Sequence, residues 1–306
     1  MKIDICFSSD NNYTLYMGTV ITSILKNSSE DEEFTFHIID GGIDDDNKNR
    51  ILKLKQIKDF NIKYYIPDIK KYEDWFNKSN YKYHFSPAMF YRISIPSLIN
   101  EVEKILYLDC DIIVTSSLKE LFQTNLENYY IAAVEEVHRP KSIFCSGIML
   151  INNKLWIKDN IEKICTDYYE KNYQTCYNDQ GILNSVLPKN KIKYLEKKWS
   201  YFADKSYHEF DPEDLKNAAI IHYIGSNKPL NPPAINSILK YEYWKYFRYT
   251  PWFKENMDKY FDNLLSIAIN DRQFFTKKYK PLKEVFNKIA WWIPSKKLRD
   301  RFRDNF

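Results

Sequence analysis

The first third of the chain alternates between two hydrophobic periods. "IDICF" (Ile3–Phe7) is an apolar run of strand length, and the polar "SSDNNYT" follows it. Tyr13–Lys26 then carries Leu15, Val20, Ile21 and Ile24 at helical spacing. "FTFHIID" (Phe34–Asp40) predicts a second strand, closed by Gly41-Gly42. Asp44–Phe60 predicts an amphipathic helix with Ile51, Leu52, Leu54 and Ile57 on its apolar side. "NIKYYI" predicts a third strand, stopped by Pro67. This alternation specifies an α/β fold with a mostly parallel sheet flanked by helices. Such sheets bind ligands outside the carboxyl ends of their strands.

Further along, "SPAMFYRISIPSLI" predicts a helix starting at Ser86 with Pro87 in its first position. Lys104–Leu108 predicts a strand with Asp109 at its carboxyl end. "YIAAVEEV" and "FCSGIMLIN" read as strands, Ile157–Asn172 and Gln180–Val186 as helices, and Ala218–Ile224 as a late buried strand. After Pro233 the pattern shifts to aromatic and basic helices.

Candidate chemistry starts at "KILYLDCDIIV", Lys104–Val114, where an apolar run holds Asp109, Cys110 and Asp111. An unpartnered buried carboxylate is expensive. In extended chain, residues i and i+2 face one side. Two carboxylates on one side suit a hard divalent cation, which can in turn hold a diphosphate. A hydrated turn after the strand explains the same pair. "IIHYIGSNKPL" repeats the design: an apolar strand, then His222, Gly225 and Lys228, a metal ligand, a glycine that lets backbone approach an oxyanion, and a phosphate-binding charge. In "SSDNNY", Asp10, Asn12 and Tyr13 suit a nucleoside, although Asp10, Asn11 or Asn12 equally suits a helix cap. In "CYNDQGILN", Asp179 and Gln180 either cap a helix or project into the site. The remaining histidines (His37, His84, His138, His208) read as structural or surface.

Composition narrows the picture in three ways. The 306 residues suit one large domain or a domain with an appendage. Five scattered cysteines without CxxC spacing argue against a zinc site or disulfide framework, and so for a reduced, cytosolic protein. "MKIDICFSSD" lacks the apolar core of a signal peptide, and no apolar stretch is long enough to span a bilayer. Only 6 glycines occur, so each can mark a position with special backbone demands.

The ordered set "FSSDNNY", "YRISI", "YLDCDIIV", "GIMLIN", "DQGILN" and "HYIGSNKP" resembles glycosyltransferase family 8, in particular its bacterial lipooligosaccharide α-1,4-galactosyltransferase type. The resemblance runs from Ile3 to about Pro229. It implies a GT-A (Rossmann-like) nucleotide-sugar-binding fold, a UDP-linked donor such as UDP-galactose or UDP-glucose, Mn2+ with Mg2+ as the alternative ion, and retention of anomeric configuration. By the same resemblance, Asp109, Asp111 and His222 match metal ligands. Asp10, Asn12 and Tyr13 match uridine contacts, Gly225 and Lys228 match diphosphate contacts, and Cys110 lies within the donor-binding motif. Arg92, Asp179 and Gln180 match residues around the donor sugar, with Gln180 near the anomeric carbon. Two carboxylates and an imidazole suit Mn2+ better than Mg2+. The chain departs from the family at Gly181, where a close relative has an acid, at Cys145-Ser146 in place of Asn-Ala, and at Leu230 in place of Trp. Loss of the acid favours front-face transfer over a covalent intermediate, and Cys145 leaves the donor sugar open.

The expected organisation is a GT-A catalytic domain over residues 1–235 and a helical, basic and aromatic region over 236–306. From Thr276 to Phe306 ten basic residues face three acidic ones, a balance of +7 that leaves −3 for the rest of a chain whose net charge is +4. Leu282, Val285, Phe286, Ile289, Trp292 and Ile293 form one helical stripe among Lys283, Lys288, Lys296, Lys297, Arg299, Arg301 and Arg303. Such a stripe suits an anionic membrane surface, and equally a terminal helix docked on the domain. A lipid-linked saccharide acceptor favours the membrane, which would place the protein at the inner face of the cytoplasmic membrane. No nucleic-acid motif is present. Two other readings fit the residues: a nucleotide-sugar-binding module without turnover, and a metal-dependent phosphoryl-transfer enzyme. The latter class places its DxD on the first strand, unlike this chain.

Overall fold

The computed structural model describes residues 1–79, 86–136, 143–176, 178–203, 211–225, 228–230, 237–261, 296 and 299–300. The tail stripe from Leu282 to Ile293, His84, His138 and His208 lie outside the described residues.

The first three predicted strands form as β1 (Lys2–Ser9), β2 (Glu33–Asp40) and β3 (Asn61–Tyr65), joined by α1 (Thr14–Asn27) and α2 (Asp45–Lys53). A third helix, α3 (Ile69–Lys78), follows β3. The apolar side expected for Asp44–Phe60 is only partly realised. Ile51 and Leu54 are buried, but Leu52 is 41% exposed, and the α-helix tightens into a 3-10 turn at Leu54.

The segment from Ser86 is a 3-10 run, Pro87–Ser94, rather than one α-helix, and restarts as α4 (Ile95–Leu98). Pro96 lacks the amide donor a continuous helix needs at that point. Then come β4 (Lys104–Leu108), β5 (Ile112–Val114), α5 (Lys119–Phe122), β6 (Ile131–Glu136) and β7 (Ile143–Asn152). The helix expected over Ile157–Asn172 is two helices, α6 (Asn153–Lys158) and α7 (Ile161–Asn172). Asn160 between them has φ +51°, a left-handed conformation that asparagine tolerates better than most residues and that ends a helix. The chain continues through α8 (Asp179–Val186), β8 (Ile192–Leu195), β9 (Tyr201–Phe202), α9 (Pro212–Asn217), β10 (Ile220–His222) and α10 (Ser237–Phe247).

The main sheet has the order β3-β2-β1-β4-β7-β6-β8. Every neighbouring pair is parallel except those made by β7, which is antiparallel to both β4 and β6. The late strand does not join this sheet. β10 pairs antiparallel with β5 and parallel with β9 in a separate three-stranded sheet. This topology fixes the site. β1 and β4 are adjacent, while β1 leads to β2 on the other side, so a crevice opens at their carboxyl ends. β7 runs the opposite way and therefore begins at that same end. β5 leaves β4 through a tight turn and hands its partner β10 to the crevice.

Two clusters of buried apolar residues cover the two faces of the main sheet. The division expected at residue 235 crosses a continuous core: Tyr243, Trp244, Phe247 and Trp252 pack in the cluster that contains Phe7, Val20 and Ile113. Among the described residues, no helix is long and apolar enough to cross a membrane.

Candidate functional site

At the sheet's carboxyl edge lies a cavity of about 260 Å3. It is lined by every candidate singled out from the sequence except Asn12, which is exposed and outside the lining. Asp10 and Tyr13 close one end. Asp10 accepts the Tyr13 amide at 3.0 Å, so the capping reading and the lining position are both realised. Cys110 contributes to the floor and donates its thiol to the Ser8 carbonyl at 3.3 Å.

Asp109 and Asp111 do not lie on one extended strand, so alternation of sides is not what unites them. They sit on the turn between β4 and β5. What joins them is tertiary: His222 pairs with Ile112 in register, and the Tyr223 amide donates to the Asp111 carbonyl at 2.8 Å. His222 Nε2 thereby comes within 3.3 Å of Asp111 Oδ1 and 3.7 Å of Asp109 Oδ2. All three ligand atoms lie within 4.8 Å of one another.

A divalent cation fits this set. Ligands at about 2.1 Å from an octahedral ion stand roughly 3 Å apart, close to the spacing found. Asp111 Oδ1 is buried without a hydrogen-bond partner, because His222 Nε2 is near but not aligned to donate. Gly147 completes the cradle. A Cβ on it would stand 2.5 Å from Asp109 Oδ2 and 2.5 Å from His222 Cε1.

Lys228 reaches back into the cluster and pairs with Asp111 Oδ2, also donating to the Tyr223 carbonyl at 3.0 Å. The return is possible because Gly225 turns the chain at φ +72°. Burial alone would push the Asp111 carboxyl up; Lys228 and His222 overrule it and hold it well below the usual carboxylate range. Burial opposes the charge on His222, but Asp111 outweighs it and raises the imidazole to about 10. A cation must displace that proton to use Nε2. Below about 10, apparent metal affinity should therefore rise with pH, by roughly tenfold per unit. Mn2+ titrations followed by electron paramagnetic resonance at three pH values test this; a flat profile would mean that no proton has to leave His222 for the cation to bind.

The opposite wall is a buried ionic network around Arg92. Its Nη2 donates to Asp109 Oδ1 at 2.7 Å and its Nη1 to the Ser146 carbonyl at 2.7 Å. Its Nε is 3.1 Å from Asp179 Oδ2, and the guanidinium lies 4.3 Å from the Tyr107 ring centroid. Tyr107 also donates its hydroxyl to Asp109 Oδ1 at 3.0 Å. Burial raises the Asp179 carboxyl above its ordinary value, with Arg92 pulling against it. The question of capping against projection is resolved by a neighbour. Asn178 caps α8 by accepting the Gly181 amide at 2.8 Å, which leaves Asp179 for Arg92 and for the Ser146 hydroxyl at 2.9 Å. Gln180 is held at both ends of its amide: Oε1 accepts the Ser146 N–H at 3.0 Å and Nε2 donates to Glu136 at 2.8 Å.

Of the other residues that line the cavity, Tyr107, Glu136 and Gly147 were not singled out from the sequence, and Ser146 only as a departure from the family motif. Glu136 ends an apolar strand as Asp109 does, so the same rule would have found it. The scarcity of glycine pointed at Gly147. Nothing local marked Tyr107.

Residues 4–231 match the profile of Glycosyl transferase family 8. The chain belongs to that family. General stress protein A of Bacillus subtilis is 28% identical over 274 residues, covering 80% of this chain and 92% of that protein. The lipopolysaccharide 1,3-galactosyltransferase of Salmonella typhimurium is 27% identical over 252 residues, covering 74% of this chain and 73% of that enzyme. Among solved structures, galactosyltransferase LgtC in complex with donor and acceptor sugar analogs superposes with a TM-score of 0.70 at 23% identity, covering 83% of this chain and all of that one. The GT-A fold expected of a family 8 glycosyltransferase is thus the fold this chain adopts.

Proposed function

We propose that this family 8 glycosyltransferase moves a hexose, galactose or glucose, from a UDP-sugar to a saccharide acceptor of a lipopolysaccharide or another surface glycan, with retention and dependence on Mn2+. One observation carries the reading: a ligand triad, Asp109, Asp111 and His222, shares one cavity with Lys228 on one side and the Arg92–Asp179–Gln180 wall on the other. Held by that triad, a divalent cation would neutralise charge developing on the departing diphosphate. Lys228 adds a second positive charge there once released from Asp111, and Gly225 leaves backbone free to approach the phosphate. Asp10 and Tyr13 bind the nucleoside end. Arg92 is already committed to two carboxylates, so its role is to orient Asp109 and Asp179 toward the donor.

Front-face transfer has support in the occupancy of the site's acids. Asp179 is tied to Arg92 and Ser146, Glu136 to Gln180, and position 181 is glycine. Gln180 presents a neutral amide, which can stabilise an oxocarbenium-like state electrostatically. The tail supports a lipid-linked acceptor: its +7 balance follows a described region where Tyr241, Tyr249, Met257 and Phe261 are exposed and Lys26 and Arg248 flank Tyr249. Peripheral attachment to the inner face of the cytoplasmic membrane is the corresponding proposal.

A panel of UDP-sugars with Mn2+ tests the reading through UDP release and thermal shift. Metal-dependent release from one sugar is expected, and an Asp111→Asn variant should fold but lose it by at least about 100-fold, the scale of losing one electrostatic stabiliser. Release that Asp111→Asn leaves intact would refute the assignment. Stabilisation without release in the presence of a membrane saccharide acceptor would favour a binding module. Sedimentation with vesicles of anionic phospholipid in the same assay should bring the protein down; protein left in solution would remove the membrane part.

A further inference from the structure

The donor loop after β1 is held from outside by the segment that follows the family-matched residues. We infer that Asn11, Asn47 and Trp252 are positioning residues for the donor nucleotide, acting through Asp10 and Tyr13; this rests on the donor-site reading above. Asn11 stands between those two lining residues and points away from the cavity, into α2. Its Nδ2 donates to Asp44 Oδ2 at 2.8 Å, and its Oδ1 accepts the Asp44 amide at 3.0 Å and Asn47 Nδ2 at 2.8 Å. The asparagine side chain is thus satisfied on both of its atoms by the first turn of one helix.

Asn47 is oriented in turn by Trp252, whose indole Nε1–H donates to Asn47 Oδ1 at 2.8 Å. That bond consumes the oxygen of Asn47 and obliges its amide nitrogen to face Asn11. The indole is itself seated by a gap in α1. A Cβ at Gly18 would lie 2.3 Å from the ring, so only glycine admits it. Arg50, one turn beyond Asn47, pairs with Glu255 at 2.8 Å, fixing the same segment a second time. A second arm reaches Tyr13 through aromatic contacts: Tyr13 to Tyr16 at 5.0 Å between centroids and Tyr16 to Tyr243 at 6.2 Å, with Tyr243 donating to the Thr19 hydroxyl at 3.1 Å.

The loop that these contacts hold has little structure of its own. Asn11–Tyr13 is a single 3-10 turn capped by Asp10. A loop held in its binding conformation loses less freedom when ligand arrives. The family-matched residues end at 231, so this chain's donor loop is preorganised by residues beyond them.

Titrating the full chain with UDP at saturating Mn2+ tests the inference. Trp252→Phe removes the donated hydrogen bond and shortens the ring over Gly18, while Asn47→Ala leaves the indole seated and removes both links. Each should weaken UDP binding, by about fivefold for the loss of one hydrogen bond. The double variant should match Asn47→Ala, since both act along one path. Mn2+ affinity without nucleotide should stay at the wild-type value, because Asp109, Asp111 and His222 are outside the relay. An Ile161→Val variant in α7 serves as the control: it lowers the unfolding temperature and leaves UDP affinity alone. Wild-type UDP affinity in both Trp252→Phe and Asn47→Ala would overturn the positioning role while the donor site stands. Failure of the wild-type chain to bind UDP would overturn the donor site and the positioning role together.

Discussion

Gly147→Ala is expected to leave the fold standing and remove the metal site. The backbone at 147 is ordinary for β7, so alanine meets no conformational obstacle. The obstacle is the Cβ, which would stand 2.5 Å from Asp109 Oδ2 and 2.5 Å from His222 Cε1. Neither neighbour can yield freely. Asp109 Oδ1 is fixed by Arg92 and Tyr107, and His222 is clamped in β10 between β5 and β9. Relief must come from separating the carboxylate and the imidazole. Overpacking of this kind costs about 1–3 kcal/mol, which a domain of this size survives. Mn2+ affinity and Mn2+-dependent UDP release should each fall by about 100-fold or more, comparable to losing one electrostatic contributor. Circular dichroism and Mn2+ titration on the same sample check it. A variant that binds Mn2+ as well as the wild type would show that Asp109 and His222 do not hold one ion.

The same cluster explains why two acids can be spent here. Without a bound cation, Lys228 and protonated His222 offset the negative charge of the buried Asp111 and the partly exposed Asp109. A metal held by Asp109, Asp111 and His222 would exchange charges rather than bury new ones: His222 would give up its proton, and Lys228 would be free to turn toward a diphosphate. Metal binding and diphosphate binding would then be coupled through Asp111.

Much of this is legible in the sequence, and the part that is not has a common cause. The strands and their carboxyl ends follow from local pattern, so Asp10, Asp109 and His222 fall at the edge of a sheet on hydrophobic periodicity alone. Their convergence does not follow from it. It depends on β10 leaving the main sheet to pair with β5, a non-local choice that a three-residue strand does not announce. The extended-chain argument for Asp109 and Asp111 picks out two residues that the fold does bring together, but the turn at 109–111, not strand alternation, is what does it. Asp179 shows the reverse case. Capping and projection are equally open locally, and the decision falls to Asn178, which takes the cap. Glu136 and Gly147 carry local signals, a strand-end acid and a scarce glycine. Ser146, in contrast, is a site residue only because β7 runs antiparallel and starts where the others end.

Arg92→Leu is expected to cost the most stability of any single change at this site. Arg92 is 5% exposed and answers two carboxylates, Asp109 at 2.7 Å and Asp179 at 3.1 Å, with one planar fork. Removing one partner of a buried ionic set typically costs about 3–5 kcal/mol, because the other charge stays buried. Lysine should not rescue it, since one ammonium cannot reach both acids, the Ser146 carbonyl and the Tyr107 face together. The pH dependence supplies the sharper test. Burial already raises the Asp179 carboxyl, and Arg92 is the largest force opposing that rise. Without the guanidinium the folded-state value climbs further. A carboxyl whose folded value lies above its unfolded one destabilises the fold most when ionised, and the penalty shrinks as pH falls through the raised value. The stability gap between wild type and Arg92→Leu should therefore be wide near pH 8 and narrower near pH 5.5, measured by urea unfolding at both. A gap that is constant with pH would mean that Asp179 is not the charge Arg92 compensates, and would leave the cost with Asp109 and the packing over Tyr107.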